Sequence, residues 1–132
     1  MRYLLDTCCV SDYLRGVDSV VQQLQRAKPS EVAVSAVTVM ELRYGAARRQ
    51  SPRLTAAVEA FLGGVSILAF DAESAERAGV LRATIESNGL GIGLADCQIA
   101  ATAMALDLTL VTHDGDLKRV PDLKFVDWRH AP

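Results

Sequence analysis

The chain has 132 residues and a formal net charge of −2, with 50% hydrophobic and 23% charged residues. This composition excludes a disordered chain and predicts a single domain, residues 1–132, that is long enough for a real core. The net charge gives no global basic field that would attract nucleic acid. It does not exclude nucleic acid, because carboxylates that hold a divalent cation make the net charge more negative while the bound ion reverses the local sign.

Strands and helices alternate through the first half of the chain. Apolar runs and their periodicity predict strands at 2–5 and 31–34, and helices at about 8–15, 17–27, 36–48 and 52–63. Ser35 is a suitable cap for the third helix, and Ser51-Pro52 is a typical cap and first-turn pair for the fourth.

The second half continues the alternation. Strands are predicted at 65–70, 108–112 and 123–126, with helices at 72–87 and about 94–106. Asp71 should cap the first of these helices, and Asn88-Gly89 should end it. Strands separated by helices indicate a central, mostly parallel sheet with helices on both faces, a three-layer α/β/α sandwich.

Acidic residues stand at the edge of, or inside, four apolar runs. Asp6 and Asp114 follow predicted strands, where open α/β sheets place their ligand sites, and Glu41 and Asp96 lie on helices that start near the same edge. An unpaired carboxylate is costly to bury in such runs. The pattern therefore predicts a cation site, with Asp116 as a possible further ligand beside Asp114.

The ligand types favour a hard cation. The three cysteines, Cys8, Cys9 and Cys97, have neither CxxC spacing nor an even count, which argues against a zinc site or a disulfide scaffold and fits a reducing cytoplasm. Oxygen ligands alone suit Mg²⁺, with Mn²⁺ as the alternative ion. Such a site could activate water for attack on a phosphodiester.

Each acid also has an ordinary structural interpretation. Asp6 could only cap a helix, Glu41 could pair with an arginine, and the Asp-Gly-Asp turn could be only a turn. The helix dipole would tolerate Asp96, but it does not explain the apolar neighbours. His113 is predicted to be exposed to solvent, and Trp128 to close the core near the C-terminus.

Four motifs, taken in order, resemble a PIN domain. They are Leu4-Leu5-Asp6-Thr7, Met40-Glu41-Leu42-Arg43-Tyr44-Gly45, Asp96-x-x-Ile99-Ala100-Ala101-Thr102-Ala103 and Leu110-Val111-Thr112-His113-Asp114-Gly115-Asp116. The ending, from Arg119 to Trp128, is similar to the VapC toxins of bacterial type II toxin–antitoxin systems. One departure is Cys8, where relatives commonly carry Asn.

The resemblance implies a PIN-like fold and a Mg²⁺-dependent endoribonuclease that cleaves cellular RNA. It also implies a VapB-like antitoxin that covers the acidic cleft, a homodimer, and operator DNA bound only through the antitoxin. The predicted catalytic residues are Asp6, Glu41, Asp96 and Asp114, and the predicted metal ligands are Asp6, Asp96, Asp114 and Asp116. Contacts to substrate are expected from Arg43, Thr7 and Thr112.

Two other function classes remain open. A phosphatase or phosphoacceptor domain also uses an aspartate after its first strand, here Asp6, although Cys8 stands where a second aspartate is expected. A non-catalytic PIN-like binding module is the other alternative. No apolar stretch has the pattern of a signal peptide or a membrane span, so a soluble cytoplasmic protein without membrane contact is expected.

Overall fold

The computed structural model describes residues 1–130. Within this range the strands form one five-stranded sheet in which every pairing is parallel. The strands are β1 (Tyr3–Leu5), β2 (Val32–Ser35), β3 (Ser66–Leu68), β4 (Thr109–Val111) and β5 (Phe125–Val126). Six helices alternate with them: α1 (Thr7–Leu14), α2 (Asp18–Arg26), α3 (Ala36–Arg49), α4 (Pro52–Leu62), α5 (Ala72–Ser87) and α6 (Leu94–Ala105).

Helices and strands differ in how closely they match the predicted bounds. The helices begin and end within one residue of most predictions, because Ser35, Ser51 and Asp71 all cap as expected through their side chains. The outer strands are shorter than predicted, since β3 and β5 lie at the sheet edges and only a few residues of each reach a neighbour. A one-turn 3₁₀ helix, Pro29–Glu31, also precedes β2.

The strand order β3-β2-β1-β4-β5 places a topological switch between β1 and β4. Leu5 of β1 is level with Val34 of β2 and with Val111 of β4, so these three strands end together. In open parallel sheets the crevice at such a switch is the usual ligand site. The residues that directly follow β1 and β4 are therefore placed at the opening of this crevice.

Two apolar clusters cover the two faces of the sheet. On one face, Leu4 and Leu110 pack with α5 and α6, including Ile99 and Ala100. The opposite face packs against α1 to α4, and Trp128 joins this second cluster as a buried residue, as predicted. The predicted fold class, a three-layer α/β/α sandwich with a parallel central sheet, is confirmed. Among residues 1–130 there is no helix with both the length and the apolar content that crossing a membrane requires.

Candidate active site

Asp6 is held at the end of β1 by its backbone and by neutral donors. Its amide donates to the Val111 carbonyl at 3.0 Å, and its side chain is only 2% exposed. Oδ1 accepts the Thr7 amide at 2.8 Å, so Asp6 does cap α1 as one interpretation held. Oδ2 accepts the Thr112 hydroxyl at 2.8 Å and the Cys8 thiol at 3.3 Å. Among residues 1–130 no cationic side chain bonds to this carboxylate.

The environment of Asp6 opposes its charge. Burial raises the pKa of Asp6 above its ordinary value, and the negative charge of Asp114 adds to the effect. The hydrogen bonds from Thr112, Cys8 and Thr7 act in the other direction and do not cancel the burial. Asp6 is therefore a buried carboxylate that hydrogen bonds orient, and within residues 1–130 no cationic side chain balances its charge.

Glu41 reaches the same edge from the second turn of α3. Its Oε1 accepts the Thr7 hydroxyl at 2.6 Å, and this hydroxyl also lies 3.1 Å from the Thr38 hydroxyl. Thr38 is fully buried beneath them. Two threonines thus fix the direction of a half-buried carboxylate. The arginine partner that one interpretation offered for Glu41 is not found within residues 1–130.

Asp96 shows that the acids come together. It lies in the first turn of α6, which Gly93 precedes without a side-chain cap. Burial raises the pKa of Asp96 to about 6, and the charges of Asp6, Asp114 and Glu41 add to the shift, in that order. No hydrogen bond reaches the Asp96 carboxylate from the described part of the chain. The four acids predicted to be catalytic therefore repel one another at one edge of the sheet.

The turn after β4 gives Asp114 and Asp116 different environments. The Asp114 amide donates to the Thr112 hydroxyl at 3.0 Å, and Asp114 Oδ1 accepts the amides of Asp116 and Leu117 at 2.8 and 3.2 Å. Asp116 is exposed, and its charge does not contribute to the raised pKa of Asp96. The causes of the raised pKa of Asp96 thus group Asp114 with the other acids, while a ligand role for Asp116 stays a prediction.

The three residues predicted to contact substrate already have partners. The hydroxyls of Thr7 and Thr112 bond to Glu41 and Asp6, and the Thr112 side chain is almost fully buried. The guanidinium of Arg43 forms an ion pair with Glu59 of α4 in an exposed position. In this arrangement the threonines orient the acids, and direct contact of the three residues with substrate stays a prediction.

A second buried aspartate, Asp12 of α1, was missed from the sequence. Its carboxylate is fully buried and accepts two bonds from Arg129, at 2.7 Å from both Nε and Nη2, and one from Arg15 at 2.9 Å. The bonds from Arg129 are the main cause of the lowered pKa of Asp12. Asp12 lies within the apolar pattern of α1, between Val10 and Tyr13, and that position was the only available signal, since Arg129 lies 117 residues away.

The prediction that His113 is exposed is wrong. Its side chain is only 28% exposed because the turn after β4 packs it beside Asp12, with Nε2 3.3 Å from Asp12 Oδ2. The distance is short enough for an ion pair, but the Nε2 atom has no partner with hydrogen-bond geometry in residues 1–130. His113 thus belongs to the Asp12 cluster rather than to the solvent.

The donor set of the acidic edge suits a hard divalent cation, since it consists of carboxylate oxygens, the pKa values of Asp6 and Asp96 are raised, and no cationic side chain in residues 1–130 pairs with these four acids. Within residues 1–130, however, no three Asp, Glu, His or Cys side chains are arranged so that they could enclose an ion by themselves. The two observations are compatible, because Mg²⁺ usually keeps several waters and needs only one or two direct carboxylates. The residues fit a cation held partly through water.

Comparisons with known proteins indicate one family. The family profile described as PIN domain matches residues 3–123. The chain is 34% identical to "Ribonuclease VapC2" of Rickettsia felis over 132 residues, which covers 97% of this chain and 98% of the relative. It is 31% identical to "tRNA(fMet)-specific endonuclease VapC" of Shigella flexneri over 130 residues, with the same coverage of both chains.

Solved structures resemble the whole fold. VapBC2 of Rickettsia felis, bound to a DNA fragment from its promoter, contains a chain that matches with a TM-score of 0.85 at 30% identity, covering 97% of this chain and 99% of that one. DNA-bound VapBC of Salmonella typhimurium gives a TM-score of 0.87 at 28% identity, covering 97% and 98% of the two chains. The likeness therefore extends over nearly the full length of both molecules.

Proposed function

Because the chain belongs to the PIN-domain family and to its VapC branch, we propose that it is a metal-dependent endoribonuclease toxin. The observation that carries the proposal is the convergence of Asp6, Glu41, Asp96 and Asp114 at the switch between β1 and β4, with no balancing cationic side chain among residues 1–130. Such an arrangement costs stability, and a bound divalent ion would relieve it. Residues 1–132 would act as one nuclease domain.

The residues that would hold the ion are Asp6, Asp96 and Asp114, with Asp116 as a further candidate. Mg²⁺ is the proposed ion and Mn²⁺ the alternative, since both prefer oxygen ligands. When bound, the cation would supply a polarised water and offset the charge that grows on the scissile phosphate.

The chain's own contribution is orientation and charge. Thr112 and Cys8 fix the direction of the Asp6 carboxylate, and Thr7 fixes that of Glu41. Glu41 is half-buried at the cleft and would orient the water that attacks the phosphodiester. Asp96 has the depth and the acidic neighbours that favour binding of positive charge. Arg43, if it leaves Glu59, would hold a flanking phosphate.

Partners are proposed from the relatives. The matching Rickettsia and Salmonella structures are VapBC complexes bound to DNA, so a VapB-like antitoxin is the proposed partner, with operator DNA bound through it. We extend the proposal to a homodimer in the cytoplasm that uses RNA as substrate. Because one relative is named a tRNA(fMet)-specific endonuclease, initiator tRNA is the first RNA to test.

The alternative of a phosphoacceptor at Asp6 has less support. Cys8 stands where such a domain carries its second aspartate, and its thiol instead donates to Asp6 Oδ2 at 3.3 Å. A non-catalytic module would leave the repulsion among four carboxylates without a use. The ribonuclease proposal accounts for both features.

The test is RNA cleavage by the purified chain freed of any partner. Initiator tRNA, an elongator tRNA and total RNA are incubated with Mg²⁺, with and without EDTA, using wild type, Asp96→Asn and the exposed control Glu76→Gln. We expect discrete EDTA-sensitive fragments from wild type and control, and a loss of on the order of 10²–10³-fold in Asp96→Asn. Mg²⁺-dependent cleavage at the wild-type rate by Asp96→Asn would overturn the assignment of the site.

A further inference from the structure

A cavity of about 200 Å³ lies between α1, α3 and α4, with Glu41 of the acidic edge in its lining. Thr7 and Glu41, which belong to the acidic edge, also line this cavity. A group that enters the cavity is therefore next to Glu41 and can belong to the same molecule as a phosphodiester bound at the acids. The metal-binding roles proposed above for Asp6, Asp96 and Asp114 do not fill this space.

The cavity walls are mainly apolar. Leu42 and Val58 are buried residues at its base, and Leu14 and Leu54 are half-buried at its sides. Because its volume is below that of a typical ligand pocket, the space suits one ring-sized group rather than a helix or a folded segment. Apolar walls with a few polar groups at the opening are typical of sites for flat organic groups.

Two arginines stand at the cavity opening. The Arg15 side chain is 67% exposed and uses one guanidinium nitrogen to bond Asp12. The Arg49 side chain is exposed and makes no ion pair or hydrogen bond within residues 1–130. An unengaged arginine beside an apolar slot is suited to a phosphate, since guanidinium matches its geometry. This local positive charge contrasts with the net charge of −2.

We propose that this cavity is a substrate subsite that takes the base of a single-stranded RNA nucleotide next to the scissile phosphate, with Arg49 and Arg15 holding its phosphate. The inference rests on the proposed ribonuclease function and adds where the neighbouring nucleotide lies. RNA is favoured over a peptide because the cavity combines continuity with the acids, a size for one ring and two cations at its opening. Bases of single-stranded RNA are free to be splayed into such a slot.

Gly45 offers a way to fill the cavity without disturbing its walls. It lines the cavity from α3, and a Cβ placed there meets no atom within 4 Å. Gly45→Leu should therefore fold and occupy the slot. Gly79→Leu on α5 is the control, because Gly79 is also helical and open around its Cβ position but is exposed on the surface and does not line the cavity.

The experiment measures binding and cleavage separately. Binding of a short fluorescein-labelled single-stranded RNA of mixed sequence is followed by anisotropy in the Asp96→Asn background, and KM and kcat are measured in the otherwise wild-type chain. Gly45→Leu should weaken binding and raise KM by about tenfold or more, with kcat little changed, while Gly79→Leu should match its parent. An equal effect of the two leucine variants would refute the subsite.

Arg49 is tested against its neighbour in the sequence. Arg49→Gln should weaken RNA binding and reduce its dependence on salt, because one phosphate contact is lost. Arg48→Gln removes the same charge one residue away, outside the cavity lining, and should have a clearly smaller effect. Equal losses in both variants would mean general attraction rather than a site, and would contradict the proposal.

The outcomes distinguish failure of the subsite from failure of the function. If wild type cleaves RNA and Gly45→Leu does so with the same KM, only the subsite is wrong. If wild type neither binds nor cleaves RNA with Mg²⁺, both proposals are wrong. If Gly45→Leu leaves RNA binding unchanged but weakens binding of the antitoxin that copurifies with the chain, the cavity serves the protein partner instead.

Discussion

Two aspartates six residues apart, Asp6 and Asp12, are both buried at α1 but have opposite environments. Asp12 receives two bonds from Arg129 and one from Arg15, and its pKa is lowered. Asp6 receives bonds from neutral donors alone among the described residues, and its pKa is raised. Both side chains are almost inaccessible to solvent, but burial is the main cause of the raised pKa of Asp6, whereas the bonds from Arg129 are the main cause of the lowered pKa of Asp12.

The contrast shows which acid site is complete within the chain. Asp12 joins α1 to the residues after β5 and has its positive charge supplied by the same polypeptide. The set that contains Asp6 and Asp96 has no such positive partner within residues 1–130, and the charges of its members add to the raised pKa of Asp96. A buried carboxylate therefore indicates function only when its charge is left unbalanced, and the predictions below test that distinction.

The largest effect is expected from breaking the Asp12 cluster. Asp12→Asn leaves Arg129 and Arg15 without their anion, and should lower the free energy of unfolding by about 3 kcal/mol. The value is at the low end for buried pairs because both arginines are partly exposed. Urea unfolding followed by circular dichroism measures it, with Glu76→Gln as an exposed control near zero. A change below that of an ordinary surface substitution would contradict the structural role of Asp12.

A divalent cation should stabilise the other acid set by a slightly smaller amount. At 100 times its dissociation constant, Mg²⁺ should add about 2.7 kcal/mol to the free energy of unfolding. The gain should vanish in Asp96→Asn and persist in Asp12→Asn, because only the first variant changes the unbalanced set. Unfolding curves with Mg²⁺, Mn²⁺ and EDTA test this. A gain that survives in Asp96→Asn would place the ion elsewhere.

The two acid sites should also respond to pH with opposite signs. The folded chain binds the Asp96 proton more tightly than the unfolded chain, so in EDTA stability should fall as pH rises from 3.8 to about 6. Screening at this half-buried site limits the change to on the order of 1 kcal/mol. The pKa of Asp12 is lowered from 3.8, so its contribution is present above that pH and is lost below it.

The difference between wild type and Asp96→Asn isolates this effect, because other titrating groups are common to both chains. The slope between pH 4 and 6 should be flatter in the variant. A variant with the same slope as wild type would show that Asp96 is not held at a raised pKa in the folded chain. Part of the slope should remain in Asp96→Asn, because the pKa of Asp6 is also raised in the folded chain.

The features that local patterns determine could be predicted from the sequence. Ser35, Ser51 and Asp71 begin their helices because each places an oxygen against a nearby amide, a contact within three residues. The acids were also predictable as a group, since Asp6 and Asp114 follow strands of a parallel sheet, whose ends meet at one edge. Asp114 and Asp116 could not be separated, because that depends on how the turn folds back on Asp114 Oδ1.

The features that depend on distant partners could not be predicted. The bond from Arg129 to Asp12 joins the two ends of the chain, and the bond from Thr7 to Glu41 joins β1's end to the middle of α3. His113 was placed in solvent because its packing depends on the same distant cluster. No periodicity or spacing encodes these pairs, so they require the tertiary structure.

The smallest effect concerns Cys8, whose thiol donates to Asp6 at 3.3 Å. Burial and the charge of Asp6 raise its pKa to about 12, so the thiol keeps its proton and remains a donor. Cys8→Ala should cost under about 1 kcal/mol in the free energy of unfolding and reduce Mg²⁺ affinity less than about tenfold. Cys8→Ser keeps a hydrogen-bond donor and should therefore retain the wild-type Mg²⁺ affinity. The buried control Cys9→Ala should lower the free energy of unfolding but leave the Mg²⁺ affinity unchanged. If Cys8→Ala abolished Mg²⁺ binding as fully as Asp96→Asn, the thiol would belong to the ion site itself rather than to the hydrogen bonds that orient Asp6.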